Sequence, residues 1–370
     1  MIKKNILSEV HNSGKPYVIY KSTRGFDLYT DFSKKIILNK KNIYKFLNRK
    51  NNTKKPKNTD LLIGFFGYEL LNNLIDIKVP IQKNINFPKG IFYKPEKKIS
   101  FSNNLNYKDN NSSSRRSFKI NINRKSYSKI FDKFKKKIKS GETYQIKICT
   151  KYKTLSKINP LDFFCRLSRT NLAPEAFLIK DKNFSIISCS PENLITKNGS
   201  QITTKPIAGT VKKSKYMSKL TALNYFRKNI KETKEHNMIV DMERNDLSRI
   251  CKFGTVKISK EKVVEEYKDL FHYVSLIKGK LKKNIKNIDI VKAMMPGGSV
   301  IGCPKISTLN LLNKQEKENR NIYTGSFGYI KFNGDMRFNI IIRSILNYKN
   351  ISEISVASGV VVDSNAKHEF

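Results

Sequence analysis

The period of the apolar positions changes several times along the chain, and each change marks an element. "KPYVIYKS" and "KKIIL" near the N-terminus are short apolar runs between polar residues and read as strands. "LLIGFFGYELLNNLI" (61–75) is the most apolar stretch of the first third and reads as a strand running into a helix. Tyr127, Ile130, Phe131, Phe134 and Ile138 recur at helical spacing, with Gly141 placed to end that helix. Ile146, Ile148, Thr150 and Tyr152 then alternate, as on a half-buried strand. "NPLDFFCRL" opens a helix, with Asn159 at the N-cap and Pro160 at the first helical position. Short strands fill 176–205, a long helical region spans about 216–250, and another helix begins just after Pro304. The last third reads as consecutive strands, "NIIIRSIL" among them, with "FNGD" as a hairpin signal. Strand runs interleaved with long helices, without regular βαβ alternation, predict an α+β fold with antiparallel sheets. The polar stretch 103–117, "NNLNYKDNNSSSRRS", predicts a loop or linker.

Composition sharpens this picture in three ways. At 370 residues with 39% hydrophobic and 11% aromatic content, the chain has ample material for a packed core. No run approaches the ~20 apolar residues of a membrane helix, and the N-terminus shows no signal-peptide stretch, so no membrane association is expected. The five cysteines are scattered, with no C-x-x-C pair, which argues against a disulfide framework or zinc ribbon and predicts a cytoplasmic protein. The formal charge of +43 invites a nucleic-acid reading. The lysines are dispersed rather than blocked, however, and no stacking, zinc-finger or helix-turn-helix pattern accompanies them. A solvated basic surface without nucleic-acid binding is the expectation.

Candidate chemistry lies in a few stretches. In "PGGSVIGCPK" (296–305), Gly297 and Gly302 have P-loop spacing, but Cys303 and Pro304 follow and Lys305 comes two positions late. What remains is a loop whose backbone N–H groups approach an anion, or a tight strand-to-helix turn. Lys305 lies near the start of the next helix, where anions are favoured. In "KETKEHNMIVDMERNDL", Glu232 and Glu235 share one helix face. They are either a magnesium-binding pair or a solvated face matched by Lys231 and Lys234. Glu192 in "SPEN" follows a proline at a strand end, where burial raises a carboxyl pKa and suits a general acid. Gly209 and Thr210 in "KPIAGT" offer a backbone donor and a hydroxyl, or form an ordinary turn. His272 sits among apolar residues in "LFHYVSLI", as a core residue or a site residue. Arg343, in an apolar strand, must find an anion.

In order, SPEN, PIAGT, EHNMIVDMERNDL, HYVS, PGGSVIGCPK, YTGSFGYI, NGDM, IIIRS and SGVVVDS resemble the chorismate-utilising enzymes. That family includes component I of aminodeoxychorismate synthase and of anthranilate synthase, and the isochorismate and salicylate synthases. The resemblance covers roughly 125–370, and only loosely 1–115. It implies two orthogonally packed antiparallel β-sheets flanked by helices. It divides the chain into an N-terminal component I-like region (1–115) and a chorismate-binding catalytic domain (120–370). Carried over by position, Arg343, Tyr329, Gly359 and Lys305 would hold the substrate carboxylates, with Ser299, Gly209 and Thr210 adding hydrogen bonds. Glu235 would ligate Mg2+, with Glu232 and Glu369 near it. Glu192 would be the general acid at the departing 4-hydroxyl, and His272 matches the family's active-site histidine. Ammonia would come from a glutamine amidotransferase subunit.

Within the family, "PGGS", "YTGS" and "NGDM" look like aminodeoxychorismate synthase, the amination enzyme of folate biosynthesis. Anthranilate synthase, of tryptophan biosynthesis, is the alternative. Ala208 favours it, because many aminodeoxychorismate synthases carry a lysine there that is thought to attack the substrate. The family pattern usually ends in E-x-x-E, whose second Glu ligates magnesium, whereas Glu369 is followed only by Phe370. The expectation is a catalytic domain shortened at its C-terminus, with an inactive paralogue as a further alternative.

Overall fold

The structure is a computed structural model and describes residues 6–49, 51, 56–77, 87–102, 105, 107, 117–155, 158–170 and 173–370. The stretch 103–117, expected as a loop, lies almost entirely outside these residues. No helix among the described residues is long and apolar enough to cross a membrane.

Local patterning places most elements where the periodicities put them. The strand at 61–75 is Leu61–Phe66, and its helix is Tyr68–Leu74. Asn123 caps the helix Arg124–Lys139 by accepting from the Ser126 N–H, and Gly141 beyond its end has φ +76°. The alternating residues after it form the strand Gln145–Leu155. Asn159 Oδ1 accepts from the Leu161 N–H (3.0 Å) at the start of the helix Pro160–Thr170. At the "FNGD" hairpin, Asn333 Oδ1 accepts from the Asp335 N–H (3.0 Å) and Gly334 takes φ +87°, a region open to glycine.

Two expectations change. The single helical region at 216–250 is two helices, Lys219–Lys228 and Ile230–Ile250. Asn229 divides them: it ends the first and accepts from the Glu232 N–H (3.2 Å) to cap the second, a task asparagine does better than helix interior. The run "NIIIRSIL" is not one strand but Met336–Asn339 and Ser344–Tyr348. Between them Arg343 takes φ +52°, an uncommon conformation for a non-glycine residue, and is exposed rather than packed in an apolar strand.

Among the described residues eighteen strands join through antiparallel ladders into one network, within the expected α+β class. From Gln145–Leu155 the ribbon passes to Ile351–Val360, Ser344–Tyr348, Phe184–Ser190, Glu175–Lys180 and Tyr17–Ser22. It continues through Gly25–Ile37, Gly90–Phe101, Leu61–Phe66, Ser326–Lys331 and Met336–Asn339. Asn193–Asn198, Gln201–Lys205 and Leu270–Lys280 follow, the last flanked by Ile207–Lys212 and Lys257–Glu266. Strands from the first hundred residues thus sit in the middle of the ribbon.

The helix Ile230–Ile250 bridges the ribbon's two ends. Its buried face carries Ile239, Val240, Met242, Leu247 and Ile250. His236 fixes it to the strand Leu270–Lys280 through Ser275 Oγ (2.7 Å), and Glu235 reaches Lys147 on Gln145–Leu155 (3.0 Å). Met242 presses on the glycine loop: a Cβ on Gly298 would lie 2.2 Å from its sulfur, so any side chain there would have to displace the end of Met242.

Candidate active site

Glu192 stands in the short link between the strands Phe184–Ser190 and Asn193–Asn198 and is 5% exposed. Its backbone is tied down by Ile340 N–H donating to its carbonyl (3.1 Å). Ser299 Oγ, in a 3-10 turn of the glycine loop, donates to Glu192 Oε1 (2.8 Å). Burial pushes the Glu192 carboxyl up to about 7. The Ser299 hydroxyl, the Ile207 N–H and the charges of Lys147 and Arg343 oppose that shift without cancelling it. Near neutral pH this carboxyl is divided between an acid that donates and a base that accepts.

Arg343 lies beside Glu192, and His272 lies within reach of the Arg343 charge. Arg343 acts on the Glu192 charge, and among the described residues it has no ion-pair partner. His272 is buried, and its Nδ1 meets Thr210 Oγ1 at 2.9 Å across paired strands. Burial, helped by the Arg343 charge, lowers His272 to about 4, so it is neutral at physiological pH. Gly209 (φ +94°) precedes Thr210, and a Cβ there would lie 3.0 Å from Glu232 Oε2.

The carboxylates of the helix Ile230–Ile250 form the second half of the site. Glu235 Oε1 accepts from Gln145 Nε2 (2.7 Å) and from Lys147 Nζ (3.0 Å). Burial acts to raise Glu235, but the Lys147 charge and these two hydrogen bonds outweigh it and hold the carboxyl below its ordinary value. Glu232 goes the other way, raised by burial and by the neighbouring Glu235 charge. Glu369 is linked to the same helix through Lys231 (3.4 Å) and is held by Ser364 Oγ (3.1 Å). Gly359 adjoins Lys147: a Cβ on it would lie 2.6 Å from Nζ. Gln145 Oε1 is buried with no partner.

Two residues carried over by position stand apart. Tyr329 lies in a different cavity of about 490 Å³, lined by Tyr20, Asp27, Tyr29 and Arg337 and by none of the other candidate residues. Lys305 turns inward: its ammonium pairs with buried Asp246 and donates to the Ala293 carbonyl (3.0 Å). Its charge serves a buried acidic pair rather than an incoming anion. Beside that pair, burial and the Asp246 charge push Glu243 up to about 8.

The residues that sequence reasoning passed over are Lys147 and Gln145. Both lie on the alternating strand "QIKICTKY", and the signal that marks them is polar side chains within its buried half.

A buried carboxyl with raised pKa, a guanidinium without a carboxylate partner and an acidic helix face are linked through Lys147 and lie beside the glycine-rich loop, the set of groups an anionic ligand and a cation would need. The matching family model, that of the chorismate binding enzymes, spans residues 4–370, and the chain belongs to this family. It is 35% identical over 245 residues to aminodeoxychorismate synthase component 1 of Bacillus subtilis, covering 66% of this chain and 52% of that protein. It is 33% identical over 254 residues to an anthranilate synthase component 1 of Haloarcula marismortui, covering 68% of this chain and 52% of the relative. The chain thus spans about half the length of the curated relatives it matches. In fold it is similar to anthranilate synthase component I from Streptococcus pneumoniae, with a TM-score of 0.76 at 23% identity over 95% of this chain and 87% of that one.

Proposed function

We propose that the protein aminates chorismate as component I of an aminodeoxychorismate synthase. The observation that carries the reading is Glu192: buried, hydrogen-bonded to the glycine loop, and still protonated in part at neutral pH. Chorismate's hydroxyl is a poor leaving group. A protonated Glu192 delivers its proton to the 4-hydroxyl as the C–O bond breaks, and water departs. Ser299 holds Oε1, which leaves the second carboxyl oxygen to carry that proton. Arg343 pairs with a substrate carboxylate in a charge-assisted contact. Neutral His272 and Thr210 orient the ring's polar edge without adding charge. Ammonia, supplied by a glutamine amidotransferase subunit, then adds to the ring.

The family resemblance implies magnesium, and the donor chemistry here fits a hard cation. Glu232 and Glu235 present carboxylate oxygens from one helix face, and the orphaned Gln145 Oε1 is a neutral oxygen donor beside them. Among the described residues no three His, Cys, Asp or Glu side chains converge as a metal cluster. The protein would therefore supply one or two carboxylates, with water and substrate oxygens completing the shell. When bound, the ion would neutralise a substrate carboxylate and draw electron density from the ring. Replacing Glu235 with Gln is expected to abolish magnesium-dependent turnover while circular dichroism stays native. Full activity in that variant would remove the assignment.

A second reading, anthranilate synthesis, is favoured by Ala208. Its methyl packs with Ile239 and Met242 and provides no nucleophile, so ammonia must attack the ring directly. Incubation with chorismate, magnesium and excess ammonium decides between them, because ammonium bypasses the partner subunit. Aminodeoxychorismate, identified by mass and by its conversion by a lyase, supports the first reading. Anthranilate with pyruvate, or isochorismate, overturns it.

A further inference from the structure

We infer that Lys147 is a resident cation that competes with a divalent ion for Glu235, and so sets how weakly this protein holds its metal. The inference rests on the reading of Glu235 as the metal-holding carboxylate and goes beyond it. Lys147 Nζ lies 3.0 Å from Glu235 Oε1, with the two side chains only 16% and 23% exposed. The ammonium is built into the site. Its strand is anchored by pairing with Ile351–Val360, where Lys147 stands opposite Gly359. The absence of a side chain at Gly359 leaves the room it occupies, since a Cβ there would come within 2.6 Å of Nζ. The same ammonium acts electrostatically on Glu192 and Glu232, so it is central to the acidic half of the pocket.

An ammonium and a divalent ion cannot share one carboxylate at contact distance in a partly buried site without strong mutual repulsion. Metal entry at Glu235 therefore works against the Lys147 charge, and either that repulsion or the loss of the ion pair subtracts from the metal's affinity. Lys147 and the Gln145 amide both donate to Oε1, so a metal must either displace one of them there or take the other oxygen of the same carboxylate, with the ammonium one carboxylate away.

The test is magnesium binding to the full chain by isothermal titration calorimetry, without substrate. Lys147→Gln, which keeps a hydrogen-bond donor and removes the charge, is expected to lower the magnesium Kd at least tenfold. Lys147→Arg, which keeps the charge, is expected to stay within about threefold of wild type. Adding Glu235→Gln to Lys147→Gln is expected to abolish the gain. An unchanged or weakened affinity in Lys147→Gln overturns the inference while leaving Glu235 as a metal ligand. Tight binding that survives in the double variant overturns the inference together with the reading of Glu235. A native circular dichroism spectrum for each variant separates either result from misfolding.

Discussion

Glu192→Gln is expected to lower kcat for chorismate consumption by roughly 10²–10⁴-fold, the usual contribution of a positioned general acid. The amide matches the carboxyl in shape and its oxygen still accepts from Ser299, so substrate affinity and folding should change little. The diagnostic is the pH profile. Burial lifts the carboxyl to about 7, so the donating form dominates below that pH and is depleted above it. With free-base ammonia held constant, wild-type kcat should fall about tenfold per pH unit above that value, and the fall should be absent in the variant. A loss of activity with the alkaline slope intact would show that Glu192 only shapes the pocket.

Lys305→Met is expected to cost roughly 3–5 kcal/mol of stability, the penalty for leaving one partner of a buried ion pair alone. Lys305 is 7% exposed at its side chain and Asp246 3%, so solvent screens little of the loss. Replacing both partners with apolar residues, Lys305→Met with Asp246→Leu, should recover a good part of the stability, because no unpaired charge then remains. Urea unfolding of the variants measures both effects. A Lys305→Met protein as stable as wild type, with KM for chorismate raised at least tenfold, would return Lys305 to the substrate.

The contrast between Glu192 and Lys305 shows which parts of the site can be read along the chain. The place of Glu192 after a proline at a strand end is legible in "SPEN", although Ser299 and Ile340, which close over it, come from more than a hundred residues further on. The Glu232–Glu235 face follows from helical spacing alone. Lys305 also has a legible local place, at the start of the helix Lys305–Gln315, where an anion is favoured. Its anion is Asp246, 59 residues earlier in the chain, and no local pattern places that carboxylate beneath it. Lys147 was invisible for another reason. Among 73 lysines and arginines a single lysine on a strand carries no information until Glu235 is seen opposite it. Tyr329 belongs to a motif that matches, yet its strand turns it toward Tyr20 and Arg337.

Helices, caps, hairpin and strand alternation were set by interactions among near neighbours, which is why periodicity and capping residues recovered them. The antiparallel α+β class followed from the order of those elements. The meeting of the site's groups depended on strands far apart in the chain finding one another, and on the helix Ile230–Ile250 joining Gln145–Leu155 to Leu270–Lys280. Whether a charged side chain meets substrate, metal or another residue of the protein is an electrostatic question about separations in space. Those separations exist only after the ribbon has closed.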